Sequence, residues 1–202
     1  LISDEQKERV MRAIVGALAL VGLTLPTFAQ DLPTGREAQR ELFSARGPAE
    51  GVLVPHDSLN AAEIGLLEGA VSDGLLPDML YYGALAIAPD AGLANPTTTA
   101  AVGNYHDEEA ARAAALAQCE AGREDGAECV VVLVVRPRGW EPGAAIQLSA
   151  SASAVLRGDY RFADRPKVFA ISPSTGAWGF GPTDEAANLD CGVADCRAII
   201  AN

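Results

Sequence analysis

Four cysteines, two histidines, a pair of turn serines and a run of arginines are the residues of this chain whose types could carry chemistry. Cys119, Cys129, Cys191 and Cys196 can pair as disulfides in three ways. They could also hold zinc, which needs four convergent donors. Their unequal spacing lacks the close pairs of a zinc knuckle and favours bridges. His106 stands before Asp107-Glu108-Glu109, and an imidazole beside Glu108 or Glu109 is the raw material of an acid–base pair or part of a metal site. The plainer reading is a loop histidine ahead of a helix whose first-turn acids suit the helix dipole. His56 is the one other histidine. Ser172 and Ser174 flank Pro173, where a serine ordinarily bonds its own turn. With no Gly-x-Ser-x-Gly elbow and no phosphate-binding glycine loop, no catalytic residue, metal ligand or cofactor is assigned.

The cations are gathered more tightly than the rest of the composition suggests. Arg136, Arg138, Arg157, Arg161, Arg165 and Lys167 fall within residues 136–167, beside Trp140, Tyr160 and Phe162. If loop 136–140 converges on segment 157–167, they form a basic patch with an aromatic wall that could hold a carboxylate or phosphate. If it does not, they are solvated side chains paired with Asp159, Asp164 and neighbouring acids. The chain as a whole carries a net charge of -12. Such a surface repels nucleic acid and anionic lipid, and neither is expected as a partner.

The elements that position these residues occur twice. Ala86-Ile87-Ala88-Pro89-Asp90-Ala91-Gly92 returns as Ala170-Ile171-Ser172-Pro173-Ser174-Thr175-Gly176. Each copy is followed by an acidic, alanine-rich helix pattern ending in cysteine, Asp107 to Cys119 and Asp184 to Cys191. Each helix is followed by a cysteine that opens an apolar run, at Cys129 and at Cys196. The repeat selects one pairing, Cys119 with Cys129 and Cys191 with Cys196. The expected fold is α+β: two degenerate hairpin-helix-strand units, about 80–136 and 167–202, sharing one mainly antiparallel sheet.

Upstream, a helix is expected over 35–43 and a strand over 51–54. A helix capped by Asp57 or Ser58 should run through Leu59, Ile64, Leu67 and Ala70, with Asp73-Gly74 as its stop. Strands are expected over 80–88, 93–105 (weakly), 129–135, 168–171 and 177–180. Arg136 to Trp140 reads as a loop. The alternating Ser-Ala stretch within 148–156 reads as a helix, since Leu148, Ala152, Val155 and Leu156 share one face and Gly158 follows.

The N-terminus reads as an export signal. Arg12 precedes the apolar run Ala13 to Leu25, and Pro26-Thr27-Phe28-Ala29 supplies a small-x-small cleavage site before Gln30. An uncleaved anchor is the alternative. The polar residues 1–10 are expected to be an upstream extension, with Met11 as the true start. Residues 30–202 would then form a single exported domain, with 12 basic against 24 acidic side chains.

The pattern aromatic-x-Ala-Ile-x-Pro-x-x-Gly, an alanine-rich helix ending in Leu-x-x-Cys, then Cys-x-Val-Val, resembles a secreted bacterial domain of unknown function, found as repeats in exported proteins of proteobacteria and actinobacteria. Residues 82–132 carry the pattern and residues 168–201 carry it less fully, with Leu189-Asp190-Cys191 at the helix end. The resemblance implies fold and export, and no catalytic residues. The whole chain also looks like short exported alphaproteobacterial proteins, some of which bear the label 5-aminolevulinate synthase. That activity needs pyridoxal phosphate on a lysine inside a large fold. Lys167 is the one lysine after residue 29, and export would remove the chain from cytosolic substrates.

These readings lead to a periplasmic or secreted, non-catalytic envelope protein that binds a partner protein or a small anionic ligand. The alternative is a small periplasmic hydrolase using His106 with a nearby carboxylate.

Overall fold

A computed structural model describes residues 32–43, 49–72 and 79–202. The upstream extension, Met11, the signal sequence and the Asp73-Gly74 stop lie outside the described residues. Among the described residues, no helix is long and apolar enough to cross a membrane.

Local signals set most of the elements. Helix α1 (Gly35–Glu41) begins in a reciprocal cap: the Thr34 N–H donates to Glu37 Oε2 at 2.8 Å and the Glu37 N–H to Thr34 Oγ1 at 3.4 Å. Strand β1 (Ala49–Leu53) follows, then α2 (Ala61–Ser72). The cap of α2 is Asn60, whose Oδ1 accepts from Ala62 N and Glu63 N while Glu63 Oε2 accepts from Asn60 N. This corrects the expected cap at Asp57 or Ser58; the Ser58 hydroxyl is taken by His56 Nδ1 at 2.8 Å in the preceding turn.

Strands β2 (Gly83–Ile87) and β3 (Thr99–Val102) form the first hairpin. Helix α3 (Glu108–Gly122) starts at Asp107, whose Oδ1 accepts from Ala110 N at 2.7 Å, and runs three residues past Cys119. Strand β4 (Val130–Pro137) includes Arg136 and Pro137, expected in a loop, because both still pair with β1, at Glu50 and Ala49. The Ser-Ala stretch is helical: α4 (Ala150–Arg157) is capped by Ser149, buries Ala152, Ser153 and Leu156, and stops at Gly158. A one-turn helix, α5 (Asp159–Phe162), comes next and has no counterpart in the sequence reading. Strands β5 (Val168–Ile171) and β6 (Trp178–Gly181), helix α6 (Asp184–Cys191, capped by Thr183) and strand β7 (Arg197–Ala201) complete the chain.

The α+β class stands, but the expected single sheet does not. One sheet has the order β1-β4-β2-β3 and the other β6-β5-β7, and all neighbours are antiparallel. The outer edge of β4 is occupied by β1. Beyond β3, Asn104 takes a left-handed conformation (φ 67°), although Tyr105 still exchanges backbone hydrogen bonds with Tyr82 at 3.0 and 3.1 Å. The Asn104 carbonyl lies against Gly176 so closely that a Cβ there would collide with it. The two cysteine-bearing units therefore meet loop against turn, not strand beside strand.

Within each unit the geometry is alike. In β3-β2-β4 and in β6-β5-β7 the first hairpin strand is central, and a helix connects its partner to the last strand. The central strand's pairing with that last strand slips once in each unit, at Leu85/Ala86 and at Phe169/Ala170. Both slips fall at the first alanine of the two matching stretches in the sequence.

Each sheet has a helix layer on both faces. Small residues let the cysteine-bearing helices close in: Ala111, Ala115 and Cys119 of α3 pack on Ala84, Ala86 and Ala100, and Ala187 and Cys191 of α6 pack on Val168 and Ala170. The opposite faces hold larger side chains. Leu59 and Leu67 meet Leu85, Ile87 and Leu133 beneath α2. Beneath α1, α4 and α5, Phe169, Ile171 and Ile200 meet Ala38, Leu156 and Tyr160. The Tyr160 ring stands edge-on to Phe169 and Phe180, with centroids 5.5 and 5.8 Å away. Fully buried side chains of this size each contribute roughly 1.5–3 kcal/mol relative to exposure.

Candidate functional site

The four cysteines form two disulfides. Cys119 is joined to Cys129 and Cys191 to Cys196, with Cα–Cα separations of 6.1 and 6.2 Å. Each bridge ties the end of a helix to the start of the next strand, in the pairing the repeat selects. Beside the first bridge, Glu120 Oε1 accepts from Cys129 N at 2.7 Å while Arg123 holds the other carboxylate oxygen at 2.6 Å. The Cys129 and Arg123 hydrogen bonds together keep the Glu120 carboxyl below its usual pKa.

In both units an aspartate fastens the hairpin turn to the loop between the cysteines, with the roles reversed. In the first unit the turn supplies the acid, and Asp90 Oδ2 accepts from Ala127 N at 2.6 Å. In the second unit the loop supplies it. Asp195 accepts from the Ser172 hydroxyl at 2.6 Å and from the Ser174 hydroxyl and amide at 2.7 and 3.0 Å. The two serine hydroxyls hold the Asp195 pKa down at about 2. Both turn serines thus serve the local structure.

His106 is buried. Its Nδ1 accepts from Ser149 N at 3.2 Å, which leaves the proton on Nε2, 2.8 Å from the Ala177 carbonyl. Burial drives its pKa below the usual 6.5, against the opposing effects of the Ala177 bond and Asp107. It stands in the loop ahead of α3, as the plainer reading has it, but buried, and neither ring nitrogen meets a carboxylate. Glu108 instead holds Arg112 at 2.6 Å and Arg136 through its other oxygen. Burial raises the Glu108 pKa, but the bonds from Arg136 and Arg112 outweigh it and leave the carboxyl below its usual range. Glu109 lines an open groove with Ala113, Ala117 and Pro173, and neither ring nitrogen of His106 bonds to it. His56 is exposed beside Ser58.

The arginine cluster divides. Arg136 is committed to Glu108, and its guanidinium lies 4.1 Å over the Trp140 ring. Trp140 donates from Nε1 to Gln147 Oε1 at 3.3 Å. Arg138 is exposed on the turn that follows β4. Arg157 Nη2 donates to the carbonyls of Leu42 and Phe43 at 3.1 and 2.9 Å, tying α4 to the end of α1. Lys167 Nζ donates to the carbonyls of Tyr160, Arg161 and Ala163 at 2.7, 3.0 and 2.8 Å, satisfying the open end of α5. The expected convergence of loop 136–140 on segment 157–167 is therefore corrected. β4 extends through Pro137, and Glu108 holds Arg136 on the first sheet.

Arg161 and Arg165 have a different companion. With Arg36 and Gln39 of α1, Lys167 and Asn202, they line a cavity of about 350 Å³ between α1, α5 and the end of β7. The floor is fixed by a small polar network. Asn202 Oδ1 accepts from Gly35 N at 2.9 Å and from Tyr160 Oη at 3.3 Å, and Asn202 N and O pair with Lys167. Arg36, Arg161 and Arg165 are exposed, and none of them is in an ion pair with a described residue. Arg161 rests 5.4 Å over the Phe162 ring. Arg36 escaped the sequence reading because more than 120 residues separate it from Arg161. The one signal near it, the Thr34–Glu37 cap, fixes where α1 starts but not what α1 faces.

No protein-family model matches the chain, and neither a curated protein nor a solved structure matches it.

Proposed function

We propose that this chain is an exported, non-catalytic protein of the cell envelope, stapled by two disulfides, that works by binding. One observation carries the reading. His106, Glu108, Ser172 and Ser174, which the sequence offers for chemistry, spend their hydrogen bonds on the fold, whereas three arginines around a cavity are in no ion pair with a described residue. Two bridges support an oxidising compartment. The matched strand order and matched register slips support duplication of one hairpin-helix-strand unit, and with it the likeness to exported repeat domains. The hydrolase alternative loses ground because both ring nitrogens of His106 are taken by backbone groups. A synthase holding pyridoxal phosphate on Lys167 is disfavoured, since its Nζ is bound by three carbonyls.

Expression of the full sequence from Met11, followed by fractionation, thiol alkylation and N-terminal mapping, tests the proposal. It requires an oxidised periplasmic or secreted chain beginning near Gln30. A reduced cytoplasmic chain contradicts it, as does a hydrolytic activity abolished by His106→Gln in a folded variant.

A further inference from the structure

We propose that the cavity between α1, α5 and the end of β7 is a binding site for a phosphate-bearing small molecule, held by Arg36, Arg161 and Arg165. The proposal rests on the reading of this chain as a binding protein and names the chemistry of its ligand.

Three observations lead to it. First, the cations converge although the protein is strongly acidic, with a net charge of -12. Arg36 comes from α1 and Arg161 from α5, while Arg165 lies on the segment leading into β5. Second, among the described residues no ion pair engages the three guanidinium groups: Asp159 and Asp164 are absent from the lining, and Glu37, next to Arg36, is held by Thr34. Third, the lining is set by contacts that cross the chain. Gln39 Nε2 donates to Leu156 O at 2.9 Å, and Asn202 binds Gly35, Tyr160 and Lys167. The cavity thus exists before any ligand arrives.

The number of donors selects the ligand. A carboxylate has one charge and two oxygens and satisfies one guanidinium fork. A phosphate monoester carries nearly two charges and three free oxygens, so it can serve three arginines from separate elements at once. At about 350 Å³ the cavity falls at the lower end of small-ligand sites, roughly 300–1,000 Å³. That leaves space beside the phosphate for a compact polar body such as a sugar.

Calorimetric titration of the oxidised full chain with inorganic pyrophosphate, glucose 6-phosphate, glucose and acetate tests the proposal. Saturable binding of the two phosphates, and of neither glucose nor acetate, is expected. It should weaken as NaCl rises from about 50 to 500 mM. Arg161→Ala and Arg36→Ala should each weaken it about tenfold, a loss of about 1.4 kcal/mol. Both side chains are exposed, so an unchanged melting temperature should accompany the loss. Arg138→Ala, on the separate turn, should leave binding intact. Absence of saturable phosphate binding, or an equal loss in Arg138→Ala, overturns the site. If that happens in a chain that is exported and oxidised, the envelope reading survives. Phosphate binding by a chain found reduced in the cytoplasm would keep the site and overturn the envelope reading.

Discussion

His106 donates from Nε2 to the Ala177 carbonyl across 2.8 Å, joining the loop before α3 to the second hairpin 71 residues later. With Ser149 N on its other nitrogen, it locks three segments together: the end of the first sheet, the start of α4 and the turn of the second sheet. The neighbouring Asn104–Ser151 pair repeats the link, at 2.8 and 3.0 Å, and Trp178 Nε1 reaches the same serine hydroxyl at 3.0 Å. A residue that looked like an acid–base candidate is the clasp between the two units.

Removing that clasp should be costly. His106→Ala leaves the buried Ser149 amide unpaired and opens a cavity, while Ser172 N still donates to the Ala177 carbonyl, so unfolding free energy should fall by roughly 2–4 kcal/mol. The wild type should also lose stability in mild acid. Its folded pKa lies below the unfolded value of 6.5, so the unfolded chain binds the proton first. The histidine's contribution is complete above about pH 6.5 and declines as pH falls towards the folded pKa. Urea midpoints at pH 7.5 and 5.5 should differ in the wild type, and this difference should shrink in His106→Gln.

The two bridges should differ in access more than in worth. Chain-entropy estimates give roughly 2–3 kcal/mol for loops closed over 10 and 5 residues. Cys119 is fully buried, however, whereas Cys196 is partly exposed. Reduction under native conditions, read by alkylation and peptide mass, should open Cys191–Cys196 first.

Glycines at two positions should respond with opposite signs. Gly65 lies inside α2 with open space where a Cβ would stand, so Gly65→Ala should stabilise by roughly 0.5–1 kcal/mol. Gly179 in β6 faces the backbone of Asp190 and Cys191, where a Cβ has no space. Gly179→Ala should destabilise by roughly 1–3 kcal/mol through overpacking against α6. Thermal melts of the two variants check the pair.

What the sequence disclosed was local. Gly158 ends α4, the acidic run at Asp107 marks the start of α3, and the Pro-x-x-Gly turns mark both hairpins, because each signal acts within a few residues; the caps at Ser149 and Asp107 show only in the structure. The cysteine pairing was legible because the repeat brings each pair next to its own helix. Sheet membership was not legible. Whether β3 meets β6 depends on Asn104 turning the chain and on the fit of Gly176 beneath it, contacts made by residues more than 70 positions apart. The fate of the arginines was hidden for the same reason: Glu108 claims Arg136 from 28 residues away, and Arg36 joins Arg161 only in the folded chain.

The central claim is that the chain's apparent catalytic groups are structural, and the protonation of His106 tests it most directly. Long-range ¹H–¹⁵N spectra of the labelled, oxidised protein report tautomer and titration together. The structure predicts a neutral ring at pH 7 with its proton on Nε2, titrating below 6.5 as the fold loosens. A ring carrying its proton on Nδ1, or titrating above 6.5 in the folded protein as a carboxylate-paired base would, contradicts the account.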